Sequence, residues 1–373
     1  MIVKNGYVFT ETGNFEQKEL YILGDRIVDS KEDLTDQTVI DARGCKIIPG
    51  LVDVHSHGAA GCDFGDAKKE HLEKILKYEG THGITSYCPT SMTVSKEELL
   101  AIFPTVTQVE RTADMAKIAG IHMEGPFVAP AKKGAQNEKY IKQAEEAFFE
   151  ECNRASGGMI KVLTLAPEEE GAMEFIRKMH DRVNISLGHT CADYETSKEA
   201  FASGANHVTH LFNAMNPLGH RAPGLIGAAV EDTHCMVEII SDGMHVHPAV
   251  VQMMFKAIGA ERMVLISDSL SATGLEDGMY ELGGQPVIVK DRKATLKDGT
   301  IAGSTTNLYD CMCRAMSFGV EESEAIFAAT RNPARSIGID DEVGSLESGK
   351  KADFLIVDQQ YNLKKVCIDG VLL

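Results

Sequence analysis

Six side chains suited to metal binding or proton transfer follow short apolar runs in this sequence. Leu51-Val52-Asp53-Val54 leads into His55-Ser56-His57. Side chains alternate across a β-strand, so histidines at i and i+2 share a face. Two neutral imidazoles on one face are a ready metal-binding pair. The run 118–123 leads to Glu124, 183–188 to His189, 207–209 to His210 and 263–267 to Asp268. One Glu, one Asp and four His at five strand ends are the inventory of a metal site, because imidazole and carboxylate suit Zn²⁺, Fe²⁺ and related divalent ions. An isolated H-x-H is weak evidence, and any one of the six could be an ordinary polar group at a strand mouth. Six at equivalent positions argue for a site.

The elements that must carry these residues alternate. Ile84–Cys88 is strand-like and follows a helical stretch with Leu72, Ile75 and Leu76 on one face. Ser95-Lys96-Glu97-Glu98 has the capping-box pattern that opens a helix. Further strands are expected near 117–123, 160–165, 183–187, 207–211, 235–240 and 263–267. Helices lie between them, one from Asp193 to Ala202 ending at Gly204 and one with Pro248 in its first turn. With a strand at 47–54 this makes eight, which fits an α/β fold of the (β/α)8 TIM-like type; an open doubly wound sheet is the alternative. In such a barrel the site lies at the C-terminal ends of the strands, where the six residues are.

Both ends of the chain read differently. Ile2-Val3, Tyr7–Phe9, Leu20–Leu23 and Arg26–Val28 are short strands, as are Asp353–Val357 and Val366–Ile368. The expected organisation is a small β-sandwich domain made from 1–47 and 343–373 around a barrel at 48–342. Residues 276–302, with Gly283-Gly284 and Asp298-Gly299, break the alternation and read as a β-hairpin insertion.

Length and composition agree with a soluble two-domain protein: 373 residues, 43% hydrophobic and 25% charged. A net charge of −18 disfavours nucleic acid and anionic membrane as partners, and an anionic substrate would need a local cluster of positive charge. Nine cysteines without a C-x-x-C pair suggest reduced thiols and a cytoplasmic location. No signal-peptide core or run of about 20 apolar residues is present. Cys311 and Cys313 fall in a helical pattern and read as packing residues, and the sixteen methionines as core fillers.

The motifs His122-Met123-Glu124-Gly125-Pro126-Phe127, Gly188-His189-Thr190, Thr209–Met215, His220-Arg221-Ala222-Pro223-Gly224, Asp242-Gly243-Met244-His245 and Ser267-Asp268 resemble the amidohydrolase superfamily and, within it, the N-acetylglucosamine-6-phosphate deacetylase family. The resemblance runs over essentially the whole chain, including 344–353, a segment shared widely in the superfamily. The deacetylase family uses Glu on the third strand where many superfamily members place a carboxylated lysine. The Thr209–Met215 motif and Arg221 are specific to that branch.

The resemblance implies a divalent metal held by Glu124, His189 and His210, and a second site formed by His55 and His57 with Glu124 bridging. One or two ions per subunit follow, with zinc first and iron, manganese or cobalt as alternatives. Asp268 would be the catalytic base and acid. Ala135, Gln136, Asn213, Ala214, Arg221, His245 and the segment Ile301-Ala302-Gly303 would bind an amino-sugar phosphate. Arg221, which by itself reads as a surface ion-pair residue, would reach the neighbouring site of a homodimer. Gln136 departs from members that carry histidine there; it can hydrogen-bond but carries no charge. Of the other histidines, His71, His82 and His180 read as surface residues. His122 is expected inside the barrel near the metal, His207 is an approach residue to His210, and His247 is a helix cap. Glu238, inside a strand, is a weaker candidate for a polar interior contact. The expected reaction is hydrolysis of N-acetyl-D-glucosamine 6-phosphate to glucosamine 6-phosphate and acetate, in amino-sugar catabolism and cell-wall recycling. The alternatives are a deaminase or cyclic-amide hydrolase of the same superfamily, or a non-catalytic metal-binding barrel.

Overall fold

The computed structural model describes residues 1–34 and 38–373. Eight parallel strands form the central barrel: β1 (Leu51–Ser56), β2 (Ile84–Ser91), β3 (Ile121–Glu124), β4 (Ile160–Leu165), β5 (Asn184–Leu187), β6 (His207–Val208), β7 (Met236–Ile240) and β8 (Met263–Ile266). Each pairs in parallel with the next, from β1–β2 to β7–β8. Between β8 and β1 the closure is made by single contacts. The Asp268 N–H donates to the His55 carbonyl at 2.9 Å, and the Ser267 N–H points at Asp53 Oδ1 at 3.5 Å. The barrel read from the sequence is therefore the observed fold, and the seam lies where two of the candidate site residues meet.

The helices between the strands begin where side chains can satisfy their free N–H groups. At Lys96–Ile102 the Ser95 hydroxyl accepts from the Glu98 N–H, and the Glu98 carboxylate accepts from the Ser95 N–H. Asp193 caps Tyr194–Ala202, and the His247 ring accepts from the Ala249 N–H at the start of Pro248–Ile258. Lys69–Thr81 packs Leu72, Ile75 and Leu76, all fully buried, against the barrel wall. Each such side chain contributes about 1.5–3 kcal/mol by leaving water.

Inside the barrel Val52, Val54, Val162, Val264 and Ile266 form an apolar cluster with Ala334 and Ile337. Met236 and Ile240 of β7 belong to it, yet Glu238, on the same strand face between them, is a fully buried carboxylate.

One strand departs from the sequence reading. Instead of a single strand over 47–54, Lys46–Pro49 pairs with Phe354–Val357 and Tyr7–Phe9, and β1 starts afresh at Leu51. The backbone changes partner at Gly50, whose N–H donates to the Asp353 carbonyl while that of Leu51 donates to Gly83, and a Cβ at Gly50 would lie 2.3 Å from the Thr85 hydroxyl. Both termini meet in two sheets. One has four strands, Arg26–Val28, Leu20–Leu23, Ile2–Lys4 and Val39–Asp41 in that order. The other has six and brings Lys46–Pro49 between Phe354–Val357 and Tyr7–Phe9. Val3, Val8, Ile22, Ile47, Phe354 and Ile356 share one core between them. The region after β8 folds into three antiparallel strands, Gly278–Leu282, Gln285–Lys290 and Lys293–Thr295. Their apolar side packs Leu282, Val287 and Ala294 against Met92, Leu270 and Ala302.

Candidate active site

His55, His57, Glu124, His189, His210 and Asp268 converge at one mouth of the barrel, all at most 7% exposed. Three of them sit where the backbone turns sharply off a strand: His189, His210 and Asp268 have φ of +48°, +29° and +48°. Non-glycine residues adopt that region at a cost of about 1–3 kcal/mol each, and such strain concentrates at functional sites.

His189 Nε2, His210 Nε2 and Glu124 Oε1 form a triangle with every side 3.1 Å. His189 Nδ1–H donates to the Lys132 carbonyl at 2.9 Å, which leaves Nε2 a lone pair. That lone pair faces a carboxylate oxygen, so a cation belongs between them. Ligands on a tetrahedral ion with bonds of about 2.0–2.2 Å stand about 3.3–3.6 Å apart, close to the observed triangle. His57 and His55 repeat the arrangement. His57 Nδ1–H donates to the Thr90 carbonyl, and its Nε2 lies 3.1 Å from Asp268 Oδ1 and 3.5 Å from Glu124 Oε2. His55 Nδ1–H donates to Glu238 at 2.9 Å. Its Nε2, with no hydrogen-bond partner among the described residues, lies 3.5 Å from Glu124 and 3.6 Å from Asp268. The donor set is nitrogen and oxygen only, with lone pairs turned to one centre, and it fits one or two divalent ions.

The electrostatics point the same way. Burial opposes a charged His55, but Glu238, Glu124 and Asp268 outweigh it and raise its pKa to about 10; with no metal ion to answer these carboxylates, a second proton on His55 takes the place that a cation would fill. Burial also works against the Glu124 and Asp268 carboxylates, yet the surrounding imidazoles hold both below the usual range. His122 is the opposite case: burial, then His55, push it down to about 3. Its nitrogens are engaged by the Val54 carbonyl and the Thr164 hydroxyl, so it lies beside the cluster without facing it.

A cavity of about 390 Å³ opens above the cluster, within the size range of small-molecule sites. Ala135, Asn213, Ala214, His245, Ile301 and Gly303 line it. Ala302 instead turns its methyl into the apolar cluster under the 278–295 strands. Gly303 (φ +62°) lets that segment pass close to the Asp268 carbonyl, where a Cβ would sit 3.1 Å away. His245 is fixed by Asp242, 2.8 Å from its Nδ1. Burial alone would depress its pKa, and the Asp242 carboxylate reverses that and raises it.

Two further expected substrate residues have partners of their own. Gln136 reaches the cavity edge but is 1% exposed; its amide donates to Glu124 Oε2 and its carbonyl accepts from the Thr93 N–H, both at 2.6 Å. Here Gln136 braces the glutamate. Arg221 is exposed, outside the cavity of its own chain, and donates to His220. The structure also gives roles to Lys132, which pattern reading passed over, and to Glu238, which it marked only as a weaker candidate for a polar interior contact. Lys132 is the one lysine or arginine among the described residues lining the cavity, and its carbonyl orients His189. Glu238 orients His55, signalled in the sequence only by an acid inside an apolar strand.

The comparisons with known proteins decide the family. The model of the amidohydrolase family matches residues 47–373. The chain belongs to the amidohydrolase family. Among curated amidohydrolase relatives, N-acetylglucosamine-6-phosphate deacetylase of Bacillus subtilis is 36% identical over 95% of this chain and 89% of its own. N-acetylgalactosamine-6-phosphate deacetylase of Escherichia coli O157:H7 is 34% identical over 87% of both chains. A solved structure from Mycobacterium smegmatis, an aspartate-to-alanine mutant of N-acetyl-D-glucosamine-6-phosphate deacetylase in complex with N-acetyl-D-glucosamine 6-phosphate, superposes with a TM-score of 0.92. It is 31% identical to this amidohydrolase and covers 100% of it and 98% of the solved chain.

Proposed function

We propose that this amidohydrolase removes the acetyl group of N-acetyl-D-glucosamine 6-phosphate, yielding D-glucosamine 6-phosphate and acetate. The observation that carries the reading is Asp268 Oδ1 at 3.1 Å from His57 Nε2, within a cavity floored by Glu124, His189 and His210. An acetamide is a poor electrophile and neutral water a poor nucleophile. A divalent ion at this donor set, zinc first, supplies Lewis-acid activation of water and of the carbonyl. Asp268 takes the proton of the attacking water and delivers it to the amine nitrogen as the C–N bond breaks. Its depressed pKa keeps it ionised, ready to act as a base, near neutral pH. Glu124, His189 and His210 would hold one ion, and His55 and His57 would hold a second beside Glu124. Lys132 and His245 oppose the field of a chain with net charge −18 and give the phosphate cationic partners, with hydrogen bonds from the Asn213–Ala214 turn.

Arg221 serves the phosphate from a second copy of the chain, which makes the working unit a homodimer. The nine cysteines, all free, suit the reducing cytoplasm. Among the described residues no helix is long and apolar enough to cross a membrane. The galactosamine 6-phosphate analogue is a second candidate substrate, favoured by the 34% identity to a relative named for it. Acetate release from the two sugar phosphates and from unphosphorylated N-acetylglucosamine, before and after chelation, tests the reading. Release of acetate from the glucosamine derivative, lost on chelation and restored by Zn²⁺, is expected. Ammonia release, or no turnover of any N-acetyl sugar phosphate by the metal-loaded protein, would overturn it.

A further inference from the structure

Glu238 is not among the ligands proposed above, although it forms a close group with His55 and His122, and it touches both halves of the site. It is fully buried on β7 between Met236 and Ile240. Its Oε2 accepts from His55 Nδ1–H at 2.9 Å and from the His210 backbone N–H at 3.1 Å. Its Oε1 has no hydrogen-bond partner among the described residues; His207 Nε2 stands 3.7 Å away, beyond hydrogen-bond reach. Among the described residues no lysine or arginine pairs with it. A carboxylate buried in an apolar layer is costly unless its charge is answered.

We infer that Glu238 is a positioning residue that fixes the tautomer of His55 for metal binding and ties His55 to the strand end bearing His210. The inference rests on the two-ion centre proposed above. With Nδ1–H held by the carboxylate, His55 presents the Nε2 lone pair, the atom that faces Glu124 and Asp268. A carboxylate behind a ligating imidazole raises the basicity of the ligand, and the cation in front answers the buried charge. The same oxygen grips the backbone of His210, a ligand of the other ion, so the two sites share one buried anchor. Without Glu238 the His55 proton could sit on either nitrogen, and the Nε2–H tautomer blocks the ligand atom.

The test is a titration of the chelator-stripped protein with Zn²⁺ against a competing chromophoric chelator, for the wild type, Glu238→Gln and Glu238→Ala. For Glu238→Ala the weaker ion is expected to bind about 10- to 100-fold less tightly, and the tighter ion, reached only through the His210 backbone, to weaken by a smaller factor. Glu238→Gln keeps an oxygen that can accept from His55 and should fall between the two; it also decides the matter if the alanine variant does not fold. Two ions at wild-type affinity in either folded variant overturn the inference and leave the two-ion centre standing. Equal weakening of both ions assigns Glu238 a merely structural role and likewise overturns it. A wild-type chain that binds fewer than two ions overturns the two-ion centre itself, and the inference with it.

Discussion

The floor and the rim of the cavity are built in opposite ways. On the floor every imidazole facing the centre through Nε2 is buried, and three of the four have Nδ1 committed: His55 to Glu238, His57 to Thr90, His189 to Lys132. Glu124 is braced by Gln136, and Asp268 leaves β8 in a left-handed turn. On the rim the polar groups are a lysine whose ammonium rests on the Met215 carbonyl, a histidine held by one aspartate, and the Asn213–Ala214 turn. Arg221 stands apart in solvent. The floor is preorganised for one chemistry and tolerates little change. The rim is an adjustable surface that sets which acetamide is presented. Substitutions on the floor should therefore change kcat or metal content by orders of magnitude, and substitutions on the rim should change KM by smaller factors.

Asp268→Asn is expected to show the largest effect. The amide cannot accept the water proton, so kcat should fall about 10²- to 10⁴-fold, while metal content and substrate affinity stay near wild type. Single-turnover kinetics with equilibrium binding of the substrate checks this. Activity within tenfold of wild type would break the division, because the most central floor residue would then be dispensable. Gln136→Leu comes next. It removes the donor to Glu124 Oε2 and strands the buried Thr93 N–H, a loss of about 1–3 kcal/mol visible as a lower urea midpoint. Weaker metal retention during dialysis should accompany it. If only KM rose, Gln136 would belong to the rim.

The floor was legible in the sequence because its residues obey two strong rules. Parallel barrel strands read as apolar runs, and the first ligand-type residue after each run faces the mouth, which located Glu124, His189, His210 and Asp268. The braces were not legible. Thr90 and Lys132 act through backbone carbonyls, which no side-chain pattern marks. Gln136 lies in an irregular loop after β3, where no periodicity assigns a face. Glu238 was visible as an acid in an apolar strand, but its partner His55 is 183 residues away. The division at Gly50 was hidden for a related reason: 47–54 is continuously apolar enough to read as one strand, and only the change of backbone partner there shows the break. The rim depends on loop geometry throughout; Arg221 read by itself as a surface residue, and it is exposed and outside the cavity of its own chain.

His245 allows the rim to be probed by pH. Its pKa is raised, so it is cationic below its folded value and loses charge as pH rises through it. The KM for a sugar phosphate should therefore climb on the alkaline side of about 6.5, the ordinary histidine value, with kcat much less affected. Stability follows the same sign: the contribution of the Asp242–His245 contact is complete below the unfolded pKa and fades as pH passes the folded one. In His245→Asn the alkaline rise in KM should flatten. Lys132→Met removes a charge and should raise KM for the phosphorylated substrate about tenfold. A matching rise for unphosphorylated N-acetylglucosamine would move Lys132 from the phosphate to the sugar.

Arg221→Ala should be the mildest change to the chain itself and the most informative about its surroundings. The side chain is exposed and bonded to the neighbouring His220, so stability should move by no more than about 0.5 kcal/mol. Within a single copy it cannot act on the cavity from where it stands. Any rise in KM for the sugar phosphate must then come from Arg221 of a second copy, and its guanidinium fork suits a phosphate oxygen pair. Dilution separates the cases. If the working unit is a dimer, wild-type KM should drift toward the variant's value as the protein is diluted through its dissociation range, while the variant's own KM stays flat. A variant indistinguishable from wild type at every concentration would remove Arg221 from the rim altogether, leaving Lys132 and His245 as the cations that answer the phosphate.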